Sequence, residues 1–298
     1  MERRPPSVAG GARRCGSIIV NAILPAAAPL PARLVLLAVM LGLIAIEYLL
    51  SRWRRNGAYD GRETLATLVI ALGGRLFGGL TAGLLASPLL WIYRHRLLDV
   101  PASPWSAAAL FLAVELCYYW HHRAMHGVNW LWATHAVHHS ASRLNLSAAL
   151  RLGWGGNLSG GILFYLPLVW LGFPPLAVLA ALGLGLSYQF FLHMAWVPHL
   201  GPLEWVLNTP RHHHVHHAAN GSCRDRNFGS VLVVFDRLFG TYGEAPAEEP
   251  LRFGLDGAAL SPAQPLQALL VGWRGLSRSL RDAKTSRDRW RALFGAPA

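Results

Sequence analysis

The chain has 298 residues, of which 53% are hydrophobic and 14% charged, and its formal net charge is +12. Disordered tails, acidic scaffolds and small disulfide-built secreted modules do not have this composition. Soluble domains carry about 25% charged residues, so the shortage of charge predicts that lipid covers part of the surface. A basic excess beside long apolar segments indicates anionic lipid headgroups rather than nucleic acid. The sequence therefore predicts an integral membrane protein.

The N-terminal third contains a basic segment and then two apolar stretches. Residues 1–30 are basic and proline-containing, without the apolar core and cleavage site of a signal peptide, so we do not expect one to be removed. Within residues 31–104, the stretch 34–50 is apolar except for Glu47 and, with its flanks, long enough to cross a hydrocarbon core of about 30 Å. The stretch 65–93 has Arg75 as its only charge, and its glycines allow one long helix or a re-entrant pair.

Two further apolar stretches follow. Residues 105–120 contain one acid, Glu115, and the block 158–191 is interrupted at Gly172-Phe173-Pro174-Pro175. Prolines at that point predict a hairpin that returns to the same membrane face. We expect an all-α membrane bundle of about four or five membrane helices or re-entrant hairpins, with a polar helical cap. The basic residues on successive loops leave the orientation open.

The C-terminal segment, residues 246–298, is predicted to be a loop followed by a basic amphipathic helix. Apolar side chains recur there at helical spacing with arginines between or after them: Leu266, Leu269, Leu270, Trp273, Leu276 and Leu280. Such a helix lies on a membrane surface or on the polar cap of the protein itself.

All histidines except His95 lie between His121 and His217. They form three sets with helical spacing, namely His122 with His126, His135 with His138 and His139, and His213 with His216 and His217. Residues three and four apart share one face of a helix, so each set can direct its imidazoles at one point. The clustering predicts a site for one or two metal ions, and imidazole suits iron, zinc, copper and nickel alike.

Carboxylates are scarce in this region, which excludes two kinds of metal site. Between Glu115 and Asp225 the only acid is Glu204, so a di-iron site built from Glu-x-x-His pairs on four helices is excluded. No histidine is followed by glutamate, which excludes the H-E-x-x-H zinc peptidase motif. An all-histidine site beside membrane helices remains.

Other polar residues near the sets have supporting roles in this interpretation. Asp225, Asn227 and Asp236 can orient ligand imidazoles, or can instead cap helices or pair with arginines. Glu115 lies about two helical turns before His122, where a carboxylate needs an arginine or a ligand imidazole as partner. Three histidines are out of register with the sets and are expected to point away from the shared face, at most as hydrogen-bond partners of the ligands: His121, His212 and His214.

The sequence around the histidines resembles the fatty acid hydroxylase and sterol desaturase superfamily of membrane enzymes. The resemblance rests on His122-Arg-Ala-Met-His126, His135-Ala-Val-His138-His139 and His213-His-Val-His216-His217, and on the flanking runs Tyr118-Tyr119-Trp120, Asn208-Thr-Pro-Arg, Asp225-Arg-Asn-Phe-Gly229 and Asp236-Arg-Leu-Phe-Gly-Thr-Tyr242. Within the superfamily, Gln189-Phe-Phe-Leu-His193 and Gly201-Pro-Leu-Glu-Trp-Val look most like the branch that contains alkylglycerol monooxygenase.

The resemblance implies a catalytic domain over residues 105–245 and a set of metal ligands. The ligands that carry over are His122, His126, His135, His138, His139, His193, His213, His216 and His217. Some members have a further histidine where this chain has Val197, so water or His199 would complete the coordination. The implied cofactor is a pair of irons that reduces O2 with electrons from a separate electron-transfer protein or a reduced pterin, and oxidises a lipid.

Hydroxylation and desaturation share this centre, and the monooxygenase branch favours hydroxylation. A zinc hydrolase, for which Glu204 is the available general base, and a non-catalytic metal-binding membrane protein are the alternatives from other classes. Because arginine almost entirely replaces lysine, we expect a GC-rich genome and a bacterial inner membrane, with the endoplasmic reticulum as the alternative.

Overall fold

The computed structural model describes residues 30–156, 158–255 and 261–297, so the predicted basic segment lies, up to residue 29, outside the described part. All regular structure in the described part is helical, which confirms the predicted all-α class. The α-helices are α1 (Leu30–Arg54), α2 (Gly61–Arg94), α3 (Pro104–Gly127), α4 (Asn129–His139), α5 (Leu166–Leu171), α6 (Pro175–Leu192), α7 (Pro210–His217), α8 (Val234–Leu238), α9 (Pro265–Asp282) and α10 (Ser286–Phe294). Short 3₁₀ helices cover Leu146–Leu150, Gly161–Tyr165, Gly201–Trp205 and Gly221–Cys223.

Three helical segments within the described residues are long and apolar enough to cross a membrane: Leu34–Arg54, Gly61–Thr81 and Pro175–Leu192. Their apolar side chains point outward, as for Leu80, which is 84% exposed. Lipid rather than protein covers such a surface in a membrane protein. The second stretch forms one continuous helix, so the alternative of a re-entrant pair is not adopted.

The predicted hairpin in the fourth apolar block is present. The short apolar helix ends at Gly172, whose φ is +123°, and α6 begins at Pro175. A side chain at Gly172 would also collide with the carbonyl of Leu98, so glycine is required at this turn. The third predicted stretch lies in α3, which is not among the three segments that could span a membrane because its last turns carry the first histidine set.

Glu47, the single charge in the first apolar stretch, joins α1 to the cap. Its carboxylate accepts hydrogen bonds from the Tyr59 hydroxyl at 2.6 Å and from the backbone N–H groups of Leu146 and Ala195 at 2.8 and 2.7 Å. A charge within an apolar helix is costly unless it is bonded in this way. The carboxylate therefore fixes both the 3₁₀ helix Leu146–Leu150 and the end of α6 against α1.

The C-terminal helices cover the outer side of α4. The predicted amphipathic helix forms α9 and packs on the cap, where Gly272 approaches so closely that a Cβ would lie 2.6 Å from Ala133 Cα. After α10, the carbonyl of Gly295 accepts a hydrogen bond from Asn129 N at 2.9 Å, and the Asn129 side chain bonds the carbonyl of Ala292. These contacts fix α4, which carries the second histidine set.

Candidate metal centre

Four chain segments bring the nine predicted ligands together. The last turns of α3 carry His122 and His126, α4 carries the second set, α7 carries the third, and His193 terminates α6. Because the spacing within each set is three or four residues, each helix turns its imidazoles toward the same interior point. The result is a buried cluster of imidazoles at the junction of membrane helices and cap.

The nine histidines divide into two groups, which the sequence did not reveal. The five-histidine group consists of His122, His126, His135, His139 and His216, and the four-histidine group of His138, His193, His213 and His217. Within each group one nitrogen from every ring lies within 4.8 Å of the others. The groups adjoin, since the rings of His139 and His217 stack with centroids 4.4 Å apart.

Backbone carbonyls fix the orientation of four of these rings. Nδ1 of His122 lies 2.9 Å from the carbonyl of Phe228, and Nδ1 of His216 lies 2.8 Å from that of Arg226. In the four-histidine group, Nδ1 of His138 lies 3.3 Å from the carbonyl of Arg151, and Nδ1 of His193 lies 2.8 Å from that of Gln189. A carbonyl only accepts, so each Nδ1 carries the proton and each Nε2 keeps its lone pair.

The free Nε2 atoms face one another at distances that suit a shared cation. His138 and His193 have Nε2 atoms 3.2 Å apart, and those of His122 and His135 are 3.1 Å apart. For His138 and His193, whose Nδ1 atoms both carry the proton, two lone pairs at this distance repel unless a cation lies between them. Two nitrogens that each bind a metal at about 2.1 Å are separated by about 3 Å when the angle at the metal is about 90°. The donor set therefore fits metal binding.

Burial keeps the cap imidazoles in the form that binds metal. Loss of solvent, reinforced by neighbouring imidazoles, holds the pKa of His135, His139 and His217 well below the usual range for histidine. The same two causes lower the pKa of His213 and His216. Neutral imidazole is the metal-ligating form, so the protons do not compete with a metal near neutral pH. Three buried imidazole nitrogens of the described residues have no hydrogen-bond partner, namely His126 Nε2, His213 Nδ1 and His216 Nε2, and such unpartnered buried nitrogens fit metal binding.

A tight loop, residues 225–229, supplies the anchors of the five-histidine group. Asp225 and Asn227 both have a left-handed backbone, with φ of +56° and +57°, which aspartate and asparagine tolerate better than most residues. The fully buried Asn227 side chain bonds the carbonyls of His212 and Gly243 and the N–H of Gly243. The Asp236 carboxylate accepts the N–H groups of Phe228 and Gly229 at 2.7 and 2.8 Å. Neither side chain touches an imidazole, so both act by holding the anchor carbonyls.

The two remaining carboxylates for which we predicted a supporting role, Asp225 and Glu115, have different partners in the structure. Asp225 Oδ1 lies 3.4 Å from Nδ1 of His126, which is the imidazole contact predicted for it, and this contact lowers the pKa of Asp225. Glu115 has neither an arginine nor an imidazole as its hydrogen-bond partner. Its carboxylate accepts the N–H groups of Val231 and Leu232 at 2.9 and 2.8 Å, because their peptide dipoles offer the positive charge that we expected from a side chain.

Arg151 is a buried charged residue beside the four-histidine group that the sequence interpretation missed. Its side chain is 0% exposed and donates to Ser140 Oγ, Thr67 Oγ1 and the carbonyl of Pro262 at 2.9, 3.1 and 2.8 Å. Its own carbonyl orients His138. An arginine in a short segment between two membrane blocks has no spacing that signals this role, so only the structure identifies it.

The remaining histidines of this region lie outside both groups. His214 Nε2 bonds the carbonyl of Met194, and His212 lies 3.4 Å from Thr209 Oγ1, so neither supports a ligand imidazole. His199 is exposed and accepts the N–H of Gly201, and Val197 is also exposed. His121 lines a cavity instead of pointing away from it.

A cavity of about 320 Å³ leads to both histidine groups. Its inner end is formed by His122 and His135 of the five-histidine group and by His138 and His193 of the four-histidine group. Apolar side chains and glycines of α2, α6 and residues 149–162 form most of the rest. The Trp154 indole packs directly on Gly73, where a Cβ would lie 2.0 Å from its ring, and donates to the carbonyl of Ile70.

Fold and site together define an all-helical membrane protein whose buried histidine groups fit a metal site next to a lipid-sized cavity. Residues 107–241 match the fatty acid hydroxylase family. No solved structure matches the chain.

The chain is also similar in sequence to alkylglycerol monooxygenases and to an ornithine lipid hydroxylase. The chain is 38% identical to alkylglycerol monooxygenase of Danio rerio over 218 residues, which covers 72% of this chain and 48% of the relative. It is 41% identical to alkylglycerol monooxygenase of Xenopus tropicalis over 162 residues, which covers 54% of this chain and 35% of the relative. Identity to the ornithine lipid hydroxylase OlsE of Rhizobium tropici is 30% over 173 residues, 58% of this chain and 52% of the relative. The chain thus spans at most about half the length of these relatives.

Proposed function

We propose that the chain is a membrane-bound, iron-dependent monooxygenase that hydroxylates a lipid. The observation that carries this proposal is the cavity, since a single apolar space reaches histidines of both groups. Such a space lets a hydrocarbon chain approach the metals from the bilayer. The named activities of the relatives, oxidation of alkylglycerols and hydroxylation of ornithine lipids, support the same class of substrate.

Each histidine group would hold one iron, which gives two ions per chain with nine imidazole ligands. When bound, the irons supply the reduction of O2 and the oxidising power needed to cleave an unactivated C–H bond. The two electrons would come from a separate electron-transfer protein or from a reduced pterin. We place the protein in a bacterial inner membrane, because arginine almost entirely replaces lysine, as expected of a GC-rich genome.

The protein residues contribute orientation and exclusion of water. Gln189 does both, since its carbonyl orients His193 while its side chain accepts from the Tyr118 hydroxyl and donates to Ser230 Oγ. These bonds satisfy the side-chain amide of Gln189 and the hydroxyl of Tyr118, so these two groups of the cavity wall offer few sites to water. Exclusion of water protects a reactive centre from side reactions.

The cavity volume favours one hydrocarbon chain over two. About 320 Å³ lies at the lower end of the range of roughly 300 to 1,000 Å³ found for small-molecule pockets. A two-chain lipid would therefore have to place its second chain outside, among the exposed side chains of α2 and α6. We expect single-chain lipids to be oxidised faster than two-chain lipids with the same head.

The hydrolase alternative lacks a base at the site. Glu204 accepts the N–H of Leu200 and pairs with Arg211 at 4.0 Å, outside both histidine groups. The carboxylate of Asp225 contacts His126, but neither Asp225 nor His126 is among the residues that line the cavity. Nothing in the cavity favours desaturation over hydroxylation, and the names of the relatives favour hydroxylation.

The test is a turnover assay with isotopically labelled O2. The full chain, reconstituted in lipid nanodiscs with iron and a chemical reductant, would receive glyceryl hexadecyl ether, and products would be identified by mass spectrometry. We expect one labelled oxygen in the product and no product without iron. Lipid consumption that is independent of O2 and supported by zinc would replace the proposal with a hydrolase.

A further inference from the structure

One face of α3 forms the cavity wall next to the metal groups. Tyr118, His121, His122 and Met125 line the cavity, and they occupy positions i, i+3, i+4 and i+7 of the helix. His122 belongs to the five-histidine group, whereas His121 belongs to neither group. The Tyr118 hydroxyl already donates to Gln189. His121 therefore has no structural duty toward the metals that would explain its place in the wall.

The His121 ring is held rigidly with one nitrogen left over. Nδ1 lies 3.3 Å from the hydroxyl of Tyr165, and the ring stacks on Phe164 with centroids 5.2 Å apart. Nε2 has no hydrogen-bond partner in the described part of the chain, although the side chain is partly buried and lines the cavity. Gly161 allows this position, because a Cβ there would lie 2.4 Å from Nε2.

This arrangement places a hydrogen-bond donor in an apolar wall. When the Tyr165 hydroxyl donates to Nδ1, the proton of the neutral ring is on Nε2. Tyr165 also lines the cavity and its oxygen keeps a free lone pair. A donor without a protein partner in the wall of a mainly apolar cavity is unfavourable unless the occupant of the cavity bonds it, so its presence there indicates a partner atom on the ligand.

We propose that His121, supported by Tyr165, binds an oxygen atom in the head of the lipid substrate, and thereby determines which carbons reach the metals. This deepens the proposed function and rests on it. His121 and His122 both line the cavity, and His122 belongs to the five-histidine group, so an oxygen bound at His121 would keep the adjoining carbons close to that group. The substrate class is a single-chain lipid with an ether, hydroxyl or ester oxygen at its head, rather than a plain hydrocarbon.

The test measures binding without turnover. The metal-loaded full chain in nanodiscs, kept anaerobic and without reductant, would be titrated with radiolabelled glyceryl hexadecyl ether and with hexadecane of the same chain length. We expect the wild type to bind the ether up to about tenfold more tightly than the hydrocarbon, the ratio that one buried hydrogen bond can provide. His121→Phe keeps the ring and its stacking, and should weaken ether binding to the level of hexadecane without changing hexadecane binding.

Three further variants separate the donor from general packing. His121→Gln retains an N–H donor and should keep part of the preference for the ether over hexadecane. Tyr165→Phe should reduce the logarithm of that affinity ratio by about half. His95→Phe is the matched control, because His95 is exposed at the end of α2 and does not line the cavity, so its preference should equal that of the wild type.

The proposal is overturned if His121→Phe keeps the wild-type preference, or if the wild type binds both lipids equally. The proposed function is judged separately by labelled oxygen in the product, so failure of one does not imply failure of the other. With turnover restored, His121→Phe should also spread oxidation over more carbons of the chain. Unchanged product positions in that variant would contradict the positioning role.

Discussion

The two histidine groups differ in what holds them. Carbonyls of a single short loop, residues 225–229, orient His122 and His216 of the five-histidine group, and the side chain of Asp225 contacts His126. The four-histidine group takes its anchors from two distant segments, since the carbonyl of Arg151 orients His138 and that of Gln189 orients His193. One group is thus organised by a single cap loop, and the other by the end of the candidate membrane helix α6 together with the residue that follows the 3₁₀ helix Leu146–Leu150.

Because the anchors differ, the two metals that we propose would not have to be lost together. A change in the loop should disturb the five-histidine group first, and a change at Arg151 should disturb the four-histidine group first. Hydrogen-bond partners of metal-binding histidines typically contribute about 10- to 100-fold to metal affinity. Selective loss is therefore measurable as a fall in metal content of about one ion per chain.

Removal of a ligand has the largest expected effect. His135→Ala or His216→Ala takes one donor from the five-histidine group, and we expect turnover to fall by at least about a thousandfold because both metals are needed. Membrane insertion should stay intact, since no apolar helix is changed. The measurement is product formation beside metal analysis, with the exposed His199→Ala as control. Near wild-type turnover in either ligand variant would refute the ligand assignment.

Arg151→Met should selectively weaken the four-histidine group. The change leaves Ser140, Thr67 and the carbonyl of Pro262 without their donor, and should reduce the free energy of unfolding by about 3 kcal/mol. We expect loss of about one metal ion per chain, assigned by spectroscopy to the four-histidine environment, and partial recovery in Arg151→Lys. Equal loss from both groups would mean that Arg151 stabilises the whole cap rather than His138.

Asn227→Ala is the counterpart in the loop. The variant removes three buried hydrogen bonds and puts alanine into a left-handed backbone, at a cost of about 2 to 3 kcal/mol. The five-histidine metal should be lost while the other stays.

Asn220→Ala is the matched control for that loop variant. Asn220 is equally buried and bonds the carbonyl of Pro250 and the N–H of Arg252, so its loss should lower stability without releasing metal. Metal analysis and thermal unfolding of both variants decide the question. Retention of both metals in Asn227→Ala would contradict the role of the loop.

Asp225→Asn should have the smallest effect. The Asp225 side chain is 71% exposed, so solvent screens its contact with Nδ1 of His126. We expect iron affinity of the five-histidine group to fall by no more than about threefold, as measured by chelator competition. A loss as large as that of Asn227→Ala would show that charge at His126, rather than loop geometry, dominates.

Spacing rules were sufficient for the histidines that lie on helices. The intervals between His135, His138 and His139 repeat those between His213, His216 and His217, so both helices direct imidazoles inward in a way that periodicity predicts. The ligand at the end of α6, His193, has no local pattern, and the family resemblance alone indicated it. The division into two groups depends on how four segments pack, which spacing along one helix does not encode.

The anchors of the imidazoles were beyond sequence reasoning for a physical reason. Most are backbone carbonyls, such as that of Phe228, and every residue has one, so no residue type marks them. The sequence identified Asn227 and Asp236 as polar supports, but they act on the backbone of the loop instead of on the imidazoles. His121 lies outside both histidine groups, but it also lines the cavity, which its register relative to the ligands does not reveal.

The most direct test of two unequal metal positions is Mössbauer spectroscopy combined with metal analysis on the full chain, purified from iron-supplemented cells. We expect about two irons per chain, in two distinguishable environments that are magnetically coupled. We also expect His135→Ala to lose one of these two irons. A single iron environment, or stoichiometric zinc that persists under iron supplementation without O2 uptake in the presence of reductant and lipid, would contradict it.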